Sequence, residues 1–256
     1  MKRLTDLLKK DGVPVSAWSG QQDPLYLQLL ARTNIDFVTL DMQHGMQTEN
    51  SVIRGIAAVM PSGKPMMVRV PVGRFDLVSR ALDAGAHGII APMINTLDDA
   101  KALVSAAKYI PVGDRSFGPT HGAGLMGITN PEYVTQANEH IPIMAMIETA
   151  EAVSNMEAIL DLDGIDGIFC GPGDLSISIR QKVIPDPYGP ETIEIVKTMP
   201  IEAHKRGKLA FAWCAGPEQV DLVTELGYDC AFMGHDISYL QRGIDTMLSE
   251  IKTRKS

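Results

Sequence analysis

The sequence predicts a single α/β domain, a (β/α)8 or TIM barrel, that spans residues 1–256. Short apolar runs alternate with amphipathic helical patterns, which is typical of parallel βαβ units. Eight such runs occur, and about 250 residues is the usual length of a chain that closes eight of these units into a barrel. No linker, low-complexity segment or block of like charge divides the chain. A doubly wound open sheet is the alternative that the same alternation allows.

The apolar runs are predicted to be the strands of the barrel. Most of them are continuously apolar, because barrel strands are covered by helices on one face and by packed side chains on the other. The predicted strands are residues 13–19, 36–41, 65–70, 88–94, 141–148, 165–171, 209–214 and 230–234.

Between the strands, apolar residues recur every three or four positions, which predicts amphipathic helices. Gly85 and Gly227 follow two of these patterns and suit a left-handed helix cap. The clearest stripes are Leu77, Val78, Ala81 and Leu82; Ala100, Leu103, Val104 and Ala107; Val153, Met156, Ile159 and Leu160; and Val220, Val223 and Leu226.

Two segments depart from a minimal barrel. The connection over residues 111–140 is longer than compact domains usually need, which favours a functional lid or a subunit contact. The last helix is predicted from residue 237 to about residue 252, with Leu240, Ile244, Met247 and Ile251 on one face. That face indicates an outer helix packed on the barrel, and exchange with a partner subunit is the second option.

Composition and charge exclude several classes of protein. A formal net charge of −8 and a pI near 5.2 disfavour a nucleic-acid surface, which needs clustered cations. The chain has no apolar run of about 18 residues, so no transmembrane helix is expected, and residues 1–6 lead into no apolar signal segment. Cys170, Cys214 and Cys230 lack metal-ligand spacing and favour a reducing compartment. We therefore expect a soluble cytoplasmic protein.

Two carboxylates end neighbouring predicted strands. Glu148 ends the fifth strand and Asp174 follows the sixth, and active sites of such barrels lie at these carboxyl ends. A pair of carboxylates with water and a chelating substrate is a common way to hold Mg²⁺ or Mn²⁺. The alternative is that each acid caps the helix that follows it. The pairing on adjacent strands favours the metal.

Arg69 and His44 lie at the same predicted edge of the barrel. Arg69 falls inside an apolar run, where an unpaired cation is costly. It either forms a structural pair with an acid such as Asp41 or directs its guanidinium at a substrate oxygen, and the residues favour neither. His44 follows the second strand; a lone histidine is more often structural, but at this edge it is a candidate general base.

Other chemistries lack their residues. No lysine lies at the catalytic end of a predicted strand, which disfavours a Schiff-base aldolase. No glycine-rich phosphate loop follows the first strand, which disfavours nucleotide binding. Asn95 and Cys214 end the fourth and seventh strands, so a carboxylate pair of the glycosidase type is not indicated there.

Several motifs, taken together and in order, point to a known family. The most specific are Ile147-Glu148-Thr149, Gly164-Ile-Asp-Gly-Ile168 and Gly171-Pro-Gly-Asp-Leu-Ser176. They and the segments 36–44, 68–71, 81–93 and 113–118 resemble the HpcH/HpaI aldolases over roughly residues 13–236. Because the resemblance rests on short motifs, the fold and function that it implies are expectations.

The resemblance implies a metal-dependent aldolase that cleaves 4-hydroxy-2-oxo acids, such as 2-keto-3-deoxy sugar acids, to pyruvate and an aldehyde through a metal-bound pyruvate enolate. Glu148 and Asp174 would bind the divalent cation, which could be Mg²⁺, Mn²⁺ or Co²⁺. Arg69 would stabilise the enolate and His44 would move protons. The family also implies a homo-hexamer, a trimer of dimers with the last helix exchanged between partners.

The resemblance extends to residues with less direct support. Substrate contacts are expected from Trp18, Ser116, Gly171, Pro172 and Gly173, together with Arg69; backbone amides at the helix start after the sixth strand would bind the substrate carboxylate. The family pairs its histidine with an aspartate that matches Asp83. Asp83 is predicted at the far end of a helix, so it would need unusual geometry or a neighbouring subunit to reach a site.

Two positions depart from the family pattern. Gln43 stands where a glutamate is frequent, and Met146 stands where a glutamine is frequent. Both are predicted to border the site and to alter substrate preference while leaving the core chemistry intact. A citryl- or malyl-thioester lyase is the rival enzyme, although no basic cluster is available for a nucleotide tail. A non-catalytic barrel that binds small acids is the rival from another class.

Overall fold

Eight parallel strands close into a barrel in this computed structural model, which describes residues 3–8 and 12–251. Each strand pairs with its neighbours in chain order, and β1 pairs with β8. The predicted barrel is confirmed, and the open doubly wound sheet is excluded. Every strand lies within its predicted run: β1 Val15–Ser19, β2 Phe37–Asp41, β3 Met66–Arg69, β4 Gly88–Ala91, β5 Ile143–Ile147, β6 Gly167–Cys170, β7 Leu209–Cys214 and β8 Cys230–Met233.

Helices surround this barrel, and the four predicted stripes lie on helices except for Leu226, which caps the end of its helix. None of the helices in the described part of the chain has the length and apolarity to cross a membrane. The helices are α1 Leu4–Leu7, α2 Pro24–Ala31, α3 Glu49–Val59, α4 Asp76–Ala84, α5 Leu97–Ala107, α6 Thr120–Met126, α7 Asn130–His140, α8 Ala150–Leu160, α9 Pro172–Arg180, α10 Pro190–Lys205, α11 Pro217–Glu225 and α12 Asp236–Ser249.

The inside of the barrel is filled by large side chains. Phe232 lies at the centre of an aromatic group, with ring centroids 4.8 Å from Phe169, 5.3 Å from Phe37 and 5.9 Å from Trp18. A second and larger apolar core lies between the strands and the surrounding helices. The interior of the barrel is packed, and a cavity opens above Trp18 and Phe169.

The long connection predicted over residues 111–140 is present, and it contains two helices, α6 and α7. The Thr129 side chain accepts a hydrogen bond from the Glu132 backbone N–H, and the Glu132 carboxylate accepts from the Thr129 N–H, so α7 starts with a capping box. Gly122 of α6 lies close to the backbone of Gly85. A Cβ atom on Gly122 would be 2.9 Å from the Cα atom of Gly85. Gly122 and Gly85 thus permit close packing of the backbones.

Beyond its first turn, the last helix does not pack on its own barrel. Of the residues in α12, only Asp236 is buried, although the described helix covers most of the predicted span; residue 252 lies outside the described residues. The expectation of an outer helix packed on the barrel is therefore wrong. The apolar face is open instead, with exposed fractions of 65% for Leu240 and 70% for Met247.

Candidate active site

A cavity of about 540 Å³ opens at the carboxyl ends of the strands. This is within the usual size range of small-molecule sites. Of the residues predicted from the sequence, it is lined by Trp18, His44, Arg69, Glu148 and residues 171–174. Closure of the barrel therefore brings together side chains that are far apart in the chain.

Arg69 and Asp41 form a buried ion pair at the base of this cavity. The Arg69 Nε and NH2 groups donate to the two Asp41 carboxylate oxygens at 2.8 and 2.7 Å. The guanidinium carbon also lies 4.7 Å from the ring centre of Trp18. The structural and functional interpretations of Arg69 are therefore compatible, because the paired guanidinium still lines the cavity.

Asp41 connects this pair to the loop that carries His44. Its carboxylate accepts hydrogen bonds from the Trp18 indole and from the backbone N–H groups of Gln43 and His44. Burial alone would raise the pKa of Asp41, but the hydrogen bonds and charge of Arg69 outweigh it and lower that pKa. Asp41 thus stays ionised. It holds Trp18, on the floor of the cavity, and the loop of His44 in fixed positions.

Glu148 directs its carboxylate into the cavity and does not cap the following helix. The N-cap of α8 is Thr149, whose side chain accepts from the Ala152 N–H. One Glu148 oxygen accepts a hydrogen bond of 2.8 Å from the Met93 N–H. Met93 has a positive φ of 54°, unusual for a bulky residue, so its backbone is strained at the point where it holds Glu148.

The remaining Glu148 oxygen lies in a recess left by Gly171. A Cβ atom at Gly171 would lie 2.4 Å from Glu148 Oε2, so any side chain at this position would displace that carboxylate oxygen. Asp174 also lines the cavity, in the first turn of α9, and is not its N-cap. The capping interpretation of the two acids is therefore wrong for both.

The charges of these acids suit a divalent cation. Burial, helped by the negative charge of Asp174, raises the pKa of Glu148 to about 7, although the Met93 N–H and Arg69 act to lower it. Two carboxylates that line one cavity, one of them buried beside Gly171, are hard oxygen ligands of the kind Mg²⁺ and Mn²⁺ prefer. No group of three or more potential ligands occurs within residues 3–8 and 12–251. A cation here would complete its shell with water and substrate oxygens.

The start of α9 provides a second feature of the site. Gly171 is the N-cap and Pro172 occupies the first helical position, where a missing N–H costs nothing. The backbone N–H groups of Gly173 and Asp174 are then unpaired within the helix and lie in the wall of the cavity. Such a helix start suits a carboxylate.

Comparison with known proteins bears on this arrangement. The family model described as HpcH/HpaI aldolase/citrate lyase matches residues 15–240, most of the chain. The chain belongs to the HpcH/HpaI aldolase/citrate lyase family. The resemblance drawn from its motifs is thereby confirmed.

Two relatives of this HpcH/HpaI chain are named aldolases. A hydroxypyruvate/pyruvate aldolase from Rhizorhabdus wittichii is 33% identical over 243 residues, which are 94% of this chain and 96% of that protein. A 2-keto-3-deoxy-L-rhamnonate aldolase from Escherichia coli is 28% identical over 250 residues, covering 97% and 92%. The crystal structure of an HpcH/HpaI aldolase from Desulfitobacterium hafniense has a TM-score of 0.88 at 24% identity, covering 100% and 99%, a likeness of fold.

Two predicted residues of this HpcH/HpaI chain lie outside its own cavity. Asp83 near the end of α4 accepts a hydrogen bond of 2.6 Å from Arg115, whose side chain is fully buried. Ser116 is exposed beside that arginine. Neither Asp83 nor Ser116 is among the residues that line the cavity. Within one chain, the structure therefore does not bring them together with His44.

Of the two residues predicted to border the site, Met146 lines the cavity and Gln43 does not, and three lining residues, Phe169, Trp213 and His235, were not predicted as site residues. Phe169 and Met146 form buried apolar parts of the wall, whereas Gln43 uses its backbone to hold Asp41 and does not line the cavity. Trp213 and His235 stand on the rim. Their position at the carboxyl ends of β7 and β8 could have marked them as site residues. Neither residue type by itself, however, indicates a reaction.

Proposed function

We propose that this chain is a class II aldolase that reversibly cleaves 4-hydroxy-2-oxo acids to pyruvate and an aldehyde. It is a carbon–carbon lyase of a family whose relatives include proteins named as aldolases. The observation that carries the proposal is the convergence of Glu148, Asp174 and Arg69 on one cavity. That set provides ligands for a cation and a fixed positive charge next to them.

Glu148 and Asp174 would hold a divalent cation such as Mg²⁺, Mn²⁺ or Co²⁺. When bound, the cation supplies a Lewis acid for the ketone of the 2-oxo acid, which lowers the pKa of the adjacent C–H group. The oxygen ligands do not select among these metals. The support for a cation is that the buried Glu148 carboxylate and the half-buried Asp174 carboxylate line the same cavity.

The remaining residues bind and orient the substrate. Arg69, fixed by Asp41, presents positive charge where the enolate oxygen develops. The first-turn N–H groups of α9 bind the substrate carboxylate. His44 is exposed on the loop held by Asp41 and moves the proton between the aldehyde end and water. Trp18 closes the floor and excludes water beneath the reacting carbons.

Proton exchange at the methyl group of pyruvate tests the enolate chemistry without knowledge of the aldehyde. The protein is incubated with pyruvate in D₂O with Mn²⁺ or Mg²⁺, and the methyl signal is followed by NMR. We expect exchange that EDTA abolishes and that Glu148→Gln removes. A folded protein that binds Mn²⁺ but does not exchange pyruvate would refute the proposal and direct attention to thioester lyases or to a small-acid-binding role.

We also propose that the active form is a homo-oligomer, a hexamer as a trimer of dimers, in which Asp83 and Ser116 act on a neighbouring subunit. The support is that both residues lie outside the cavity of their own chain. Mixing subunits tests this, since oligomers of Asp83→Asn and of Glu148→Gln would each be inactive. Mixed oligomers should regain activity if Asp83 serves a neighbour, and should stay inactive if it serves its own chain.

The predictions of one domain over residues 1–256 and of a cytoplasmic location complete the proposal. The buried, unbridged state of all three cysteines supports a reducing compartment. Fractionation of the native cell, with detection of the chain in the soluble interior fraction, is the direct test.

A further inference from the structure

His235 lies where β8 turns into α12, on the rim of the active-site cavity. Its side chain is exposed, whereas Trp18, Arg69 and Glu148 deeper in the cavity are at most 8% exposed. In the strand order, β8 adjoins β1 and is two strands away from β6, after which Asp174 lies. In the proposed reaction, pyruvate lies beside Glu148 and Asp174. His235 therefore borders the opposite part of the cavity, which is left for the second reactant.

The turn that carries His235 is fixed to the cavity floor. The Asp236 carboxylate accepts a hydrogen bond of 2.7 Å from the Gly20 N–H, directly after β1. The Tyr239 hydroxyl accepts one of 2.9 Å from the Trp18 N–H. Both bonds attach the start of α12 to the strand that supplies the floor. The position of the imidazole relative to the reacting carbons is thus set by strand-to-turn bonds and not by a free loop.

Hydrogen bonding also selects the tautomer of His235. The residue is the N-cap of α12, and its Nδ1 atom accepts a hydrogen bond of 3.2 Å from the Ser238 N–H. An Nδ1 atom that accepts carries no proton, so the ring proton is on Nε2. No acceptor for Nε2–H occurs among residues 3–8 and 12–251. The rim thus presents an oriented N–H donor to the cavity.

The surroundings of this donor indicate the chemistry of its ligand. Of the described residues that line the cavity, Arg69 is the only lysine or arginine, and two of its N–H groups are used by Asp41. Gln21 adds a neutral amide on the same rim. These groups match hydroxyl oxygens, whereas a carboxylate at this place would call for a free cation.

We propose that His235 determines acceptor specificity by donating its Nε2 proton to a hydroxyl oxygen of a neutral, hydroxylated aldehyde. The inference rests on the proposed aldolase function and adds the class of the second substrate. The pyruvate half of the reaction does not involve His235.

The variant His235→Asn separates recognition from helix capping. Asparagine is a good N-cap and can accept from the Ser238 N–H, but it places no donor at the position of Nε2. We expect kcat/KM for glyceraldehyde to fall about tenfold, the usual effect of one lost hydrogen bond. For propanal, the same carbon chain without hydroxyls, kcat/KM should stay within about twofold, as should pyruvate methyl exchange.

Three outcomes would overturn the inference. One is an unchanged ratio of kcat/KM between glyceraldehyde and propanal in His235→Asn. Another is an equal fall for both aldehydes together with slower pyruvate exchange, because His235 would then act on the pyruvate half. The third is a wild-type preference for succinic semialdehyde that His235→Asn removes, because the ligand would then be a carboxylate.

Histidine NMR gives a readout that does not require turnover. In protein labelled with ¹⁵N-histidine, the His235 signal is identified by its absence from His235→Asn among six histidines. Glyceraldehyde should shift the Nε2 resonance and propanal should not; no shift with glyceraldehyde would overturn the inference. Wild-type protein that fails to exchange pyruvate protons would instead refute the aldolase function, so the two failures are distinguishable.

Discussion

At the scale of single residues, the Asp41–Arg69 pair shows why a buried charge is kept in this barrel. Its side chains are only 4% and 10% exposed, and buried ion pairs are seldom more stabilising than apolar residues of similar size. Here the Asp41 carboxylate also accepts from Trp18 and from the loop of His44. The pair therefore fixes the Arg69 guanidinium, the Trp18 ring and the His44 loop together. Its contribution to the site is positioning and not stability.

Replacement of Arg69 by lysine should reduce catalysis far more than it reduces stability. Lysine keeps the charge but cannot form the two parallel bonds to Asp41, so its ammonium is no longer held at the enolate oxygen. We expect pyruvate methyl exchange to slow by about 10²- to 10³-fold, as for loss of one oriented donor. Arg206→Lys, in an ion-pair cluster with Glu157 and Asp161, is the matched control and should exchange at the wild-type rate.

His87 predicts a specific loss of stability in acid. It is 5% exposed, its Nδ1 accepts from the Met66 N–H, and burial lowers its pKa from 6.5 to about 4. Below pH 6.5 the unfolded chain binds a proton that the folded chain excludes, so stability falls as the pH drops from 6.5 to 4. The loss should be about 3 kcal/mol.

Urea unfolding of wild type and His87→Asn at several pH values measures the contribution of His87 to the pH dependence of the unfolding free energy. Asparagine can still accept from the Met66 N–H, but it does not titrate in this range. The stability of the variant should depend less steeply on pH between 4 and 6.5. Parallel curves for the two proteins would contradict the assignment of the slope to His87.

At the scale of elements, the connection from strand β6 to helix α9 shapes the proposed metal site through a glycine, Gly171. A Cβ atom at Gly171 would displace the Glu148 carboxylate. Gly171→Ala should therefore weaken Mn²⁺ binding by about 10- to 100-fold, as do other changes next to metal ligands. Gly173→Ala is the control, because a Cβ atom there meets nothing within 4 Å. Electron paramagnetic resonance of free Mn²⁺ measures both affinities, and equal affinities would contradict the role of the recess.

Elements also mark the limit of what the sequence predicts. Strands and most helices follow from periodicity, because burial on two faces requires continuous apolar runs. The helix α6 was missed because Gly122 and Gly124 lower helix propensity, while the close approach of Gly122 to Gly85 can be seen only after folding. Likewise, the N-cap of α8 is Thr149 and not Glu148. Local backbone geometry decides which residue caps the helix, and the sequence pattern does not show it.

At the scale of the whole molecule, barrel closure made the site predictable. The carboxyl ends of all strands meet at one mouth, so Glu148, Asp174, Arg69 and His44 could be grouped before any distance was known. The same argument does not extend to residues on the outer helices, such as Asp83, whose partner Arg115 lies in the connection after β4. In the proposed assembly their role depends on contacts between chains, which one chain's periodicity does not describe.

The open face of α12 leads to the prediction for the assembly. Ile237, Leu240, Ile244 and Met247 are between 46% and 70% exposed on a helix that its own barrel does not cover. An apolar surface of this kind is typical of a subunit contact. Burial of two such side chains contributes about 3–6 kcal/mol, enough to govern association. Leu240→Glu with Met247→Glu should therefore dissociate the oligomer into smaller species.

Light scattering coupled to size-exclusion chromatography measures the expected fall in mass. Gln241→Glu with Thr246→Glu adds the same charge at exposed polar positions of the same helix and should leave the mass unchanged. If both double variants dissociate equally, charge and not the apolar face governs assembly. If neither dissociates, the exchange of α12 between subunits is wrong. A dissociated Leu240→Glu, Met247→Glu protein should also lose activity, because Asp83 would then have no neighbouring cavity to reach.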